Sequence, residues 1–239
     1  MRLAIIGYGK MGQEIAAVAR ERNHSIDLVI DADNTSDLNK DNLAGIDVAI
    51  EFSSPDAAFN NILTCLREHT PVVSGTTGWL DRWEEVKKEC DEQSGALFYA
   101  SNFSIGVNIL FAINEKLAAV MNGFPQFEVR MEEIHHIHKL DAPSGTAITL
   151  AEQIAAKLES KDSWSLEKGD PRNIHIEAKR EGEVNGYHSV SYDSEVDTIS
   201  ISHNAKSRKG FATGAVMAAE YLEDKKGIHS MKEMLNLLS

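Results

Sequence analysis

Three observations predict an α/β chain whose first part is a parallel, doubly wound sheet and whose second part is a smaller α+β unit on a mixed, mostly antiparallel sheet. Short unbroken apolar runs alternate with amphipathic helices up to residue 104, as in sheets buried on both faces. Glycine-rich turns follow two of those runs. Beyond residue 104, strands appear in which apolar and charged residues alternate, the period-2 signature of half-exposed strands.

Arg2-Leu3-Ala4-Ile5-Ile6 is the first buried strand, and it ends in Gly7-Tyr8-Gly9-Lys10-Met11-Gly12. A helix follows, with Met11, Ile15 and Val18 on one face. Glycines at 7, 9 and 12 between a strand and a helix have the spacing of a dinucleotide fingerprint. In that motif the first allows the tight turn, the second the approach of a pyrophosphate and the third close helix–strand packing. Ile26 to Ile30 is a second strand, and Asp31 at its end stands about 20 residues past the motif, where an acid is expected to take the ribose hydroxyls. Ala32, not arginine, follows it, which favours NADH over NADPH.

Residues 32–44 read as a polar surface loop. Asp47 to Phe52 and Pro71 to Ser74 are further strands, separated by a helix that starts at Ser53-Ser54-Pro55-Asp56. The fourth strand runs into a second glycine turn, Gly75-Thr76-Thr77-Gly78, at the edge where doubly wound sheets hold their ligands. A charged helix from Asp81 to Gln93 and a strand from Ala96 to Ala100 complete this part. A long apolar helix through Val107, Leu110 and Leu117 then leads to the alternating strand Phe127 to Ile134. A helix from Thr146 to Leu158, a polar loop over 159–173, and strands Ile174 to Lys179, Tyr187 to Tyr192 and Asp197 to His203 follow, the first two read as a hairpin punctuated by Gly182 and Gly186. Two helices, Phe211 to Leu222 and Ser230 to Leu238, close the chain.

A formal net charge of −13 lacks the basic footprint of nucleic-acid binding and disfavours anionic membrane surfaces. No apolar run approaches the roughly 18 residues of a membrane span, and no leader pattern precedes the first strand. Two cysteines, Cys65 and Cys90, on helices suggest reduced thiols in a cytoplasmic protein. An acidic chain can still hold a cationic pocket for a small anion.

Such a pocket is indicated by Glu133-Ile134-His135-His136-Ile137-His138-Lys139-Leu140-Asp141-Ala142-Pro143-Ser144-Gly145-Thr146-Ala147, where three histidines and a lysine crowd into five positions before a helix. Ser144 suits an N-cap and Gly145 lets backbone N–H groups approach a carboxylate. Cationic acids beside a helix N-terminus suit proton transfer to an anionic substrate. A metal site is not expected: adjacent His135 and His136 leaving a strand point in different directions, unlike the helical pair of zinc hydrolases. The residues alone point to a nicotinamide enzyme that reduces a small anion with a cationic acid.

This run resembles the signature of the 4-hydroxy-tetrahydrodipicolinate (dihydrodipicolinate) reductase family of lysine and diaminopimelate biosynthesis. Gly75-Thr76-Thr77-Gly78, Ala100-Ser101-Asn102-Phe103, Gly182 to His188 and His203 to Gly214 fall in the family's order, so the resemblance spans the chain. It implies reduction of a cyclic imine dicarboxylate by NADH or NADPH, with His135 as acid/base residue and Lys139 as proton donor. His136, Gly145 and Thr146, with Ser144 in the same turn, would clamp the dicarboxylate. Gly7, Tyr8, Gly9, Lys10, Met11, Gly12 and Asp31 would hold the adenosine diphosphate half of the cofactor. Gly75, Thr76 and Thr77 with Ala100, Ser101, Asn102 and Phe103 would hold the nicotinamide half, and no metal is implied. The resemblance also implies a Rossmann-type dinucleotide domain of residues 1–104 with 209–239, a substrate-binding and tetramerisation domain of residues 105–208, and a homotetramer.

The glycine loop is one residue shorter than the Gly-x-Gly-Gly-Arg-Met-Gly of many members, and Tyr187 stands where an acid is more usual. An aspartate- or homoserine-type dehydrogenase is the alternative enzyme; a non-catalytic NAD(H) sensor is the alternative from another class. His138 is read as structural.

Overall fold

The computed structural model describes residues 1–236. In chain order its first elements are β1 (Arg2–Ile6), α1 (Lys10–Glu21), β2 (Ser25–Ile30), a 3-10 turn (Ala32–Asp37), α2 (Lys40–Leu43), β3 (Val48–Glu51), α3 (Pro55–Arg67) and β4 (Val72–Ser74). A 3-10 turn (Leu80–Arg82), α4 (Trp83–Glu92), β5 (Ala96–Tyr99), α5 (Ile105–Met121), β6 (Glu128–His135) and α6 (Gly145–Ala155) come next. The chain continues with β7 (Ser163–Ser165), β8 (Asn173–Arg180), β9 (Tyr187–Asp193), β10 (Thr198–Asn204), α7 (Lys209–Leu222), β11 (Gly227–His229) and α8 (Met231–Met234). The contacts divide it into two compact units, Met1–Ile105 with the described residues from Arg208 onward, and Gly106–Ser207.

The first unit is a six-stranded sheet of order β11-β5-β4-β3-β1-β2, parallel throughout. From β1 the chain moves out to β2, then returns to β3 on the other side of β1. That reversal is the switch point where doubly wound sheets bind ligands. Leu3, Ile5, Val48, Ile50, Val73 and Phe98 face one core with α1 and α7, while Ala4, Ile6, Ala49, Val72 and Leu97 face another with α3 and α4. Burial on both faces is why these strands read as unbroken apolar runs.

The second unit is a five-stranded mixed sheet of order β10-β9-β6-β8-β7. The β10–β9 and β9–β6 pairings are antiparallel, and β6–β8 and β8–β7 are parallel. Leu110 and Met121 of α5 and Leu150, Ala151 and Ile154 of α6 cover one face, against Val129, Met131, Ile174, Ile176, Val190 and Tyr192. The opposite face carries Arg130, Glu132, Glu177, Lys179, Ser189 and Ser191, exposed or half-buried.

Several local expectations change. The loop after Asp31 contains a 3-10 turn and α2, each started by a side-chain cap from Asp31 or Asn39. The polar segment 159–173 contains the edge strand β7. Strands β8 and β9 are not a hairpin, because β6 lies between them; the connection carrying Gly182 and Gly186 therefore crosses the end of β6. β11 was hidden in Gly227-Ile228-His229, too short to show a period. The last helix is described over Met231–Met234, and residues 237–238 of its expected span lie outside the described residues. No helix of the described residues is long and apolar enough to cross a membrane.

Candidate active site

Four turns line up along the C-terminal edge of the first sheet, each continuing the hydrogen bonding of the strand it leaves. Gly7 N–H donates to Ile30 O at 2.8 Å, Phe52 N–H to Ile6 O at 2.8 Å, Gly75 N–H to Glu51 O at 3.0 Å and Ala100 N–H to Ser74 O at 3.3 Å. Gly7, Asp31, Gly75 and Ala100 are thus neighbours in space along one edge.

The glycine turn fits a dinucleotide phosphate on three observations. Gly7 has φ +91°, and a Cβ there would sit 2.2 Å from the Phe52 carbonyl oxygen. A Cβ on Gly12 would sit 2.0 Å from the Gly7 carbonyl oxygen, so helix and turn touch backbone to backbone. Gly9 is exposed with nothing within 4 Å of its missing Cβ, and it begins α1 with no side-chain cap. The first-turn N–H groups of such a helix suit an anion. Tyr8 and Met11 are half-buried and pack against the core, and Lys10 is exposed at the helix start. Asp31 is exposed; its side chain accepts from Ala32 N–H at 2.9 Å while its own N–H donates to Asn34 Oδ1 at 2.7 Å.

The second glycine turn is organised by Glu51, which the sequence reading passed over as strand. Its carboxylate is fully buried and accepts from Ser53 N–H at 2.9 Å, Ser74 Oγ at 2.9 Å, Thr76 Oγ1 at 3.0 Å and the Ser53 hydroxyl. The available signal was a lone acid inside Val48-Ala49-Ile50-Glu51-Phe52. A buried carboxylate is tolerated only when its oxygens are satisfied, and here that need draws the turns after β3 and β4 together. Thr76 is consequently buried, whereas Thr77 is exposed. Ser101 is exposed and Asn102 half-buried. The Phe103 side chain is 2% exposed and its ring packs on Phe52 and Phe98, so what this residue offers at the turn is its backbone.

In the second unit, β6 buries alternate residues Val129, Met131, Glu133 and His135. The core-facing register thus ends in a carboxylate and an imidazole where packing alone would place apolar side chains. His136 follows at the strand end, half-buried. Glu133 is fully buried. Both its oxygens accept from Ser144 N–H at 3.1 Å, and Oε1 accepts from both Arg180 terminal nitrogens at 3.2 Å. His135 Nδ1 lies 3.3 Å and His188 Nε2 3.7 Å from Oε2. Cross-strand register explains the convergence: Glu133 stands opposite His188 on β9, and His135 opposite Arg180 on β8. The rings of His135 and His188 meet edge to face at 5.1 Å.

Burial by itself would raise the Glu133 carboxyl, but His135 and the Ser144 hydroxyl and N–H outweigh it and hold it down to about 2. Burial, then the charge of His135, pushes His188 down to about 4 against the pull of Glu133.

Lys139 is mostly buried and its ammonium is held by Asp141 at 2.7 and 2.8 Å. Arg180 fixes the same loop from beneath, donating to the Lys139 carbonyl at 3.3 Å and the Asp141 carbonyl at 2.5 Å. Sequence reasoning missed Arg180, and only its register opposite His135 reveals it. His138 is exposed and pairs with Glu183 at 3.1 Å.

Ser144 is turned inward at the start of α6. It is 3% exposed; its N–H is on Glu133, and its hydroxyl contacts His188 at 3.0 Å and caps α6 at Ala147 N–H. Gly145 is exposed with nothing within 4 Å of its missing Cβ, and Thr146 is half-buried beside it at the same helix start.

Glu133, His135 and His188 offer ligand atoms within 4.8 Å of one another, a grouping of metal-binding type that excludes His136 and His138. The donor set does not suit a cation, because the Arg180 guanidinium already occupies the same carboxylate.

The N-terminal model of dihydrodipicolinate reductase matches residues 1–103 and the C-terminal model residues 106–235. A 4-hydroxy-tetrahydrodipicolinate reductase of Christiangramia forsetii is 52% identical over 237 residues, covering 99% of this chain and 98% of the relative. One of Neisseria meningitidis is 34% identical over 203 residues, covering 82% and 74%. Among solved structures, a dipicolinate-bound dihydrodipicolinate reductase from Paenisporosarcina superimposes with a TM-score of 0.78 at 25% identity, over 100% of this chain and 99% of that one. With both halves matched in order, the alternative of an aspartate- or homoserine-type enzyme falls away, and the chain belongs to the dihydrodipicolinate reductase family.

Proposed function

We propose a division of labour among the residues of this chain, which as a family member is an NAD(P)H-dependent reductase converting dihydrodipicolinate to tetrahydrodipicolinate in lysine and diaminopimelate biosynthesis. In the proposal Gly7 to Gly12 and the start of α1 take the pyrophosphate, Asp31 the adenosine ribose, and the turns at Gly75–Thr77 and Ala100–Phe103 the nicotinamide half. When bound, the reduced cofactor supplies a hydride to ring carbon 4 of the substrate. His136 and the exposed start of α6 at Gly145 and Thr146 bind the two carboxylates, where cationic or N–H donors oppose the negative charge.

His135 and Lys139 handle the proton. Hydride addition builds negative charge on the ring nitrogen side, and a cationic acid within reach stabilises and quenches it. Lys139 donates after exchanging Asp141 for the substrate, and His135 resupplies or replaces that proton. Asp31 followed by Ala32 supports a preference for NADH. A homotetramer is carried over from the family resemblance, and the sheet face opposite α5 and α6 is the surface assigned to it in this proposal.

The observation that carries the reading is that β6 ends its buried register in Glu133 and His135 while the same segment delivers Lys139 and the start of α6. The test is oxidation of NADH and NADPH by the purified chain with freshly generated dihydrodipicolinate. Turnover with a higher kcat/KM for NADH is expected; a strong NADPH preference overturns the reading of Asp31 and Ala32. Sedimentation of the same preparation tests the tetramer, and a monomer overturns it.

A further inference from the structure

We propose that Glu133 is a positioning residue for this reaction: its buried carboxylate holds the proton of His135 on Nδ1, directs Nε2 outward past Gly186, and through Arg180 and Ser144 ties the Lys139 loop and the start of α6 to the same charge. The inference rests on His135 as the acid/base residue.

Packing offers no reason for the acid. Val129 and Met131 precede Glu133 on the buried face of β6, and a third apolar side chain would complete that register without the desolvation of a carboxylate. Instead Glu133 is fully buried and engages four groups from four separate parts of the unit: Ser144 at the start of α6, Arg180 on β8, His188 on β9 and His135 on its own strand. At 3.3 Å His135 Nδ1 faces Oε2 as an ion-pair contact and forms no hydrogen bond; catalytic contacts of this kind commonly tighten only when a ligand closes the site.

The far side of the ring is kept clear. A Cβ on Gly186 would lie 3.2 Å from His135 Nε2, and that glycine has φ +142°. The connection from β8 to β9 can therefore pass the imidazole without a side chain against Nε2. An anion on Nδ1 and clearance at Nε2 define one tautomer and one working nitrogen.

Arg180 extends the control to the lysine. Its guanidinium spans Glu133 and the carbonyls of Lys139 and Asp141, so the loop bearing the ammonium is anchored to the carboxylate that faces the imidazole. A fixed spacing between two proton-handling groups follows from one buried ion pair.

The test compares Glu133→Gln, the paired Glu133→Met/Arg180→Met, and His135→Gln, each alone and with Glu133→Gln combined with His135→Gln. The methionine pair removes both charges while retaining volume, a change that buried ion pairs often tolerate without loss of stability. Thermal melting and NADH affinity are measured beside kcat and KM, and histidine ring nitrogens are read by 15N spectroscopy. The expected result is a kcat lowered by about 10²-fold in the methionine pair and at least about tenfold in Glu133→Gln, with NADH affinity unchanged. The His135 ring should lose its Nδ1–H signature in the methionine pair, and Glu133→Gln should cost little in the His135→Gln background.

Unchanged kcat in a methionine pair that melts normally overturns the proposal; should that pair not fold, unchanged kcat in Glu133→Gln does so. Full activity in His135→Gln sinks the acid/base reading instead. Loss in His135→Gln alone, with both Glu133 variants active, leaves that reading intact and overturns only the positioning role.

Discussion

Gly214 on α7 lies against Phe103 so closely that a Cβ would stand 1.8 Å from the Phe103 carbonyl oxygen. The helix near the end of the chain thus meets the turn after β5 backbone to backbone. Arg22 and His24 after α1 reinforce the arrangement through Glu220 on α7, at 2.7 and 2.8 Å. Gly214→Ala should therefore destabilise the protein by about 1–3 kcal/mol through overpacking. Gly210→Ala on the same helix, with nothing within 4 Å of its Cβ, should stabilise it by about 0.5–1 kcal/mol. Thermal melts of the two variants decide the matter, and equal shifts would refute the close contact.

Removing either of the two groups proposed to handle the proton should abolish most turnover while the fold survives. His135→Ala and Lys139→Ala are each expected to lower kcat by about 10² or more. Circular dichroism controls for folding, and near-normal turnover in both variants would refute the catalytic assignment.

Cofactor choice should turn on one position. Introducing a guanidinium beside the proposed ribose site, Ala32→Arg, should move the ratio of kcat/KM for NADPH over NADH upward by about tenfold or more. A ratio unchanged from the parent chain would place the adenosine ribose elsewhere.

Glu51 should matter to cofactor binding without touching it. Glu51→Gln disturbs its bonds to Ser53, Ser74 and Thr76, and about a tenfold rise in the NADH Kd is expected, some 1.4 kcal/mol. Fluorescence titration reads it; an unaltered Kd would mean the second glycine turn holds its shape unaided.

Acid sensitivity should begin at His188. Its ordinary value of 6.5 drops to about 4 in the folded protein, first through burial. Between those values the unfolded chain binds a proton that the folded chain does not, so stability is whole above pH 6.5 and declines as pH falls towards 4. A second decline follows from 4.5 towards 2, where unfolded Glu133 is protonated first. His188→Gln should flatten the upper window in denaturant titrations; parallel curves for parent and variant would count against it.

Much of this architecture is legible in the chain as written. Strands buried on both faces are apolar almost throughout, with Glu51 and Ser74 at strand ends as the exceptions, so β1, β3, β4 and β5 announce themselves, and the turns at Gly7 and Gly75 mark where two of them end. The histidine–lysine segment stands out because no packing rule asks for such a density of titratable groups at the end of a strand. Glu133 was visible there only as a neighbour of histidines, and Arg180 only as the end of a strand.

What the tertiary structure decided was the pairing. Placing β6 between β8 and β9 set Arg180 and His188 beside Glu133 and His135, across about 50 residues of chain. It also drew Ser144 inward as a cap and left Gly145 outward, although both belong to one turn. Local sequence determines which face of a strand or helix is buried, through the period of its side chains. Which strand lies alongside it, and hence which charges meet in the dark of the core, follows from long-range register, on which local periodicity is silent.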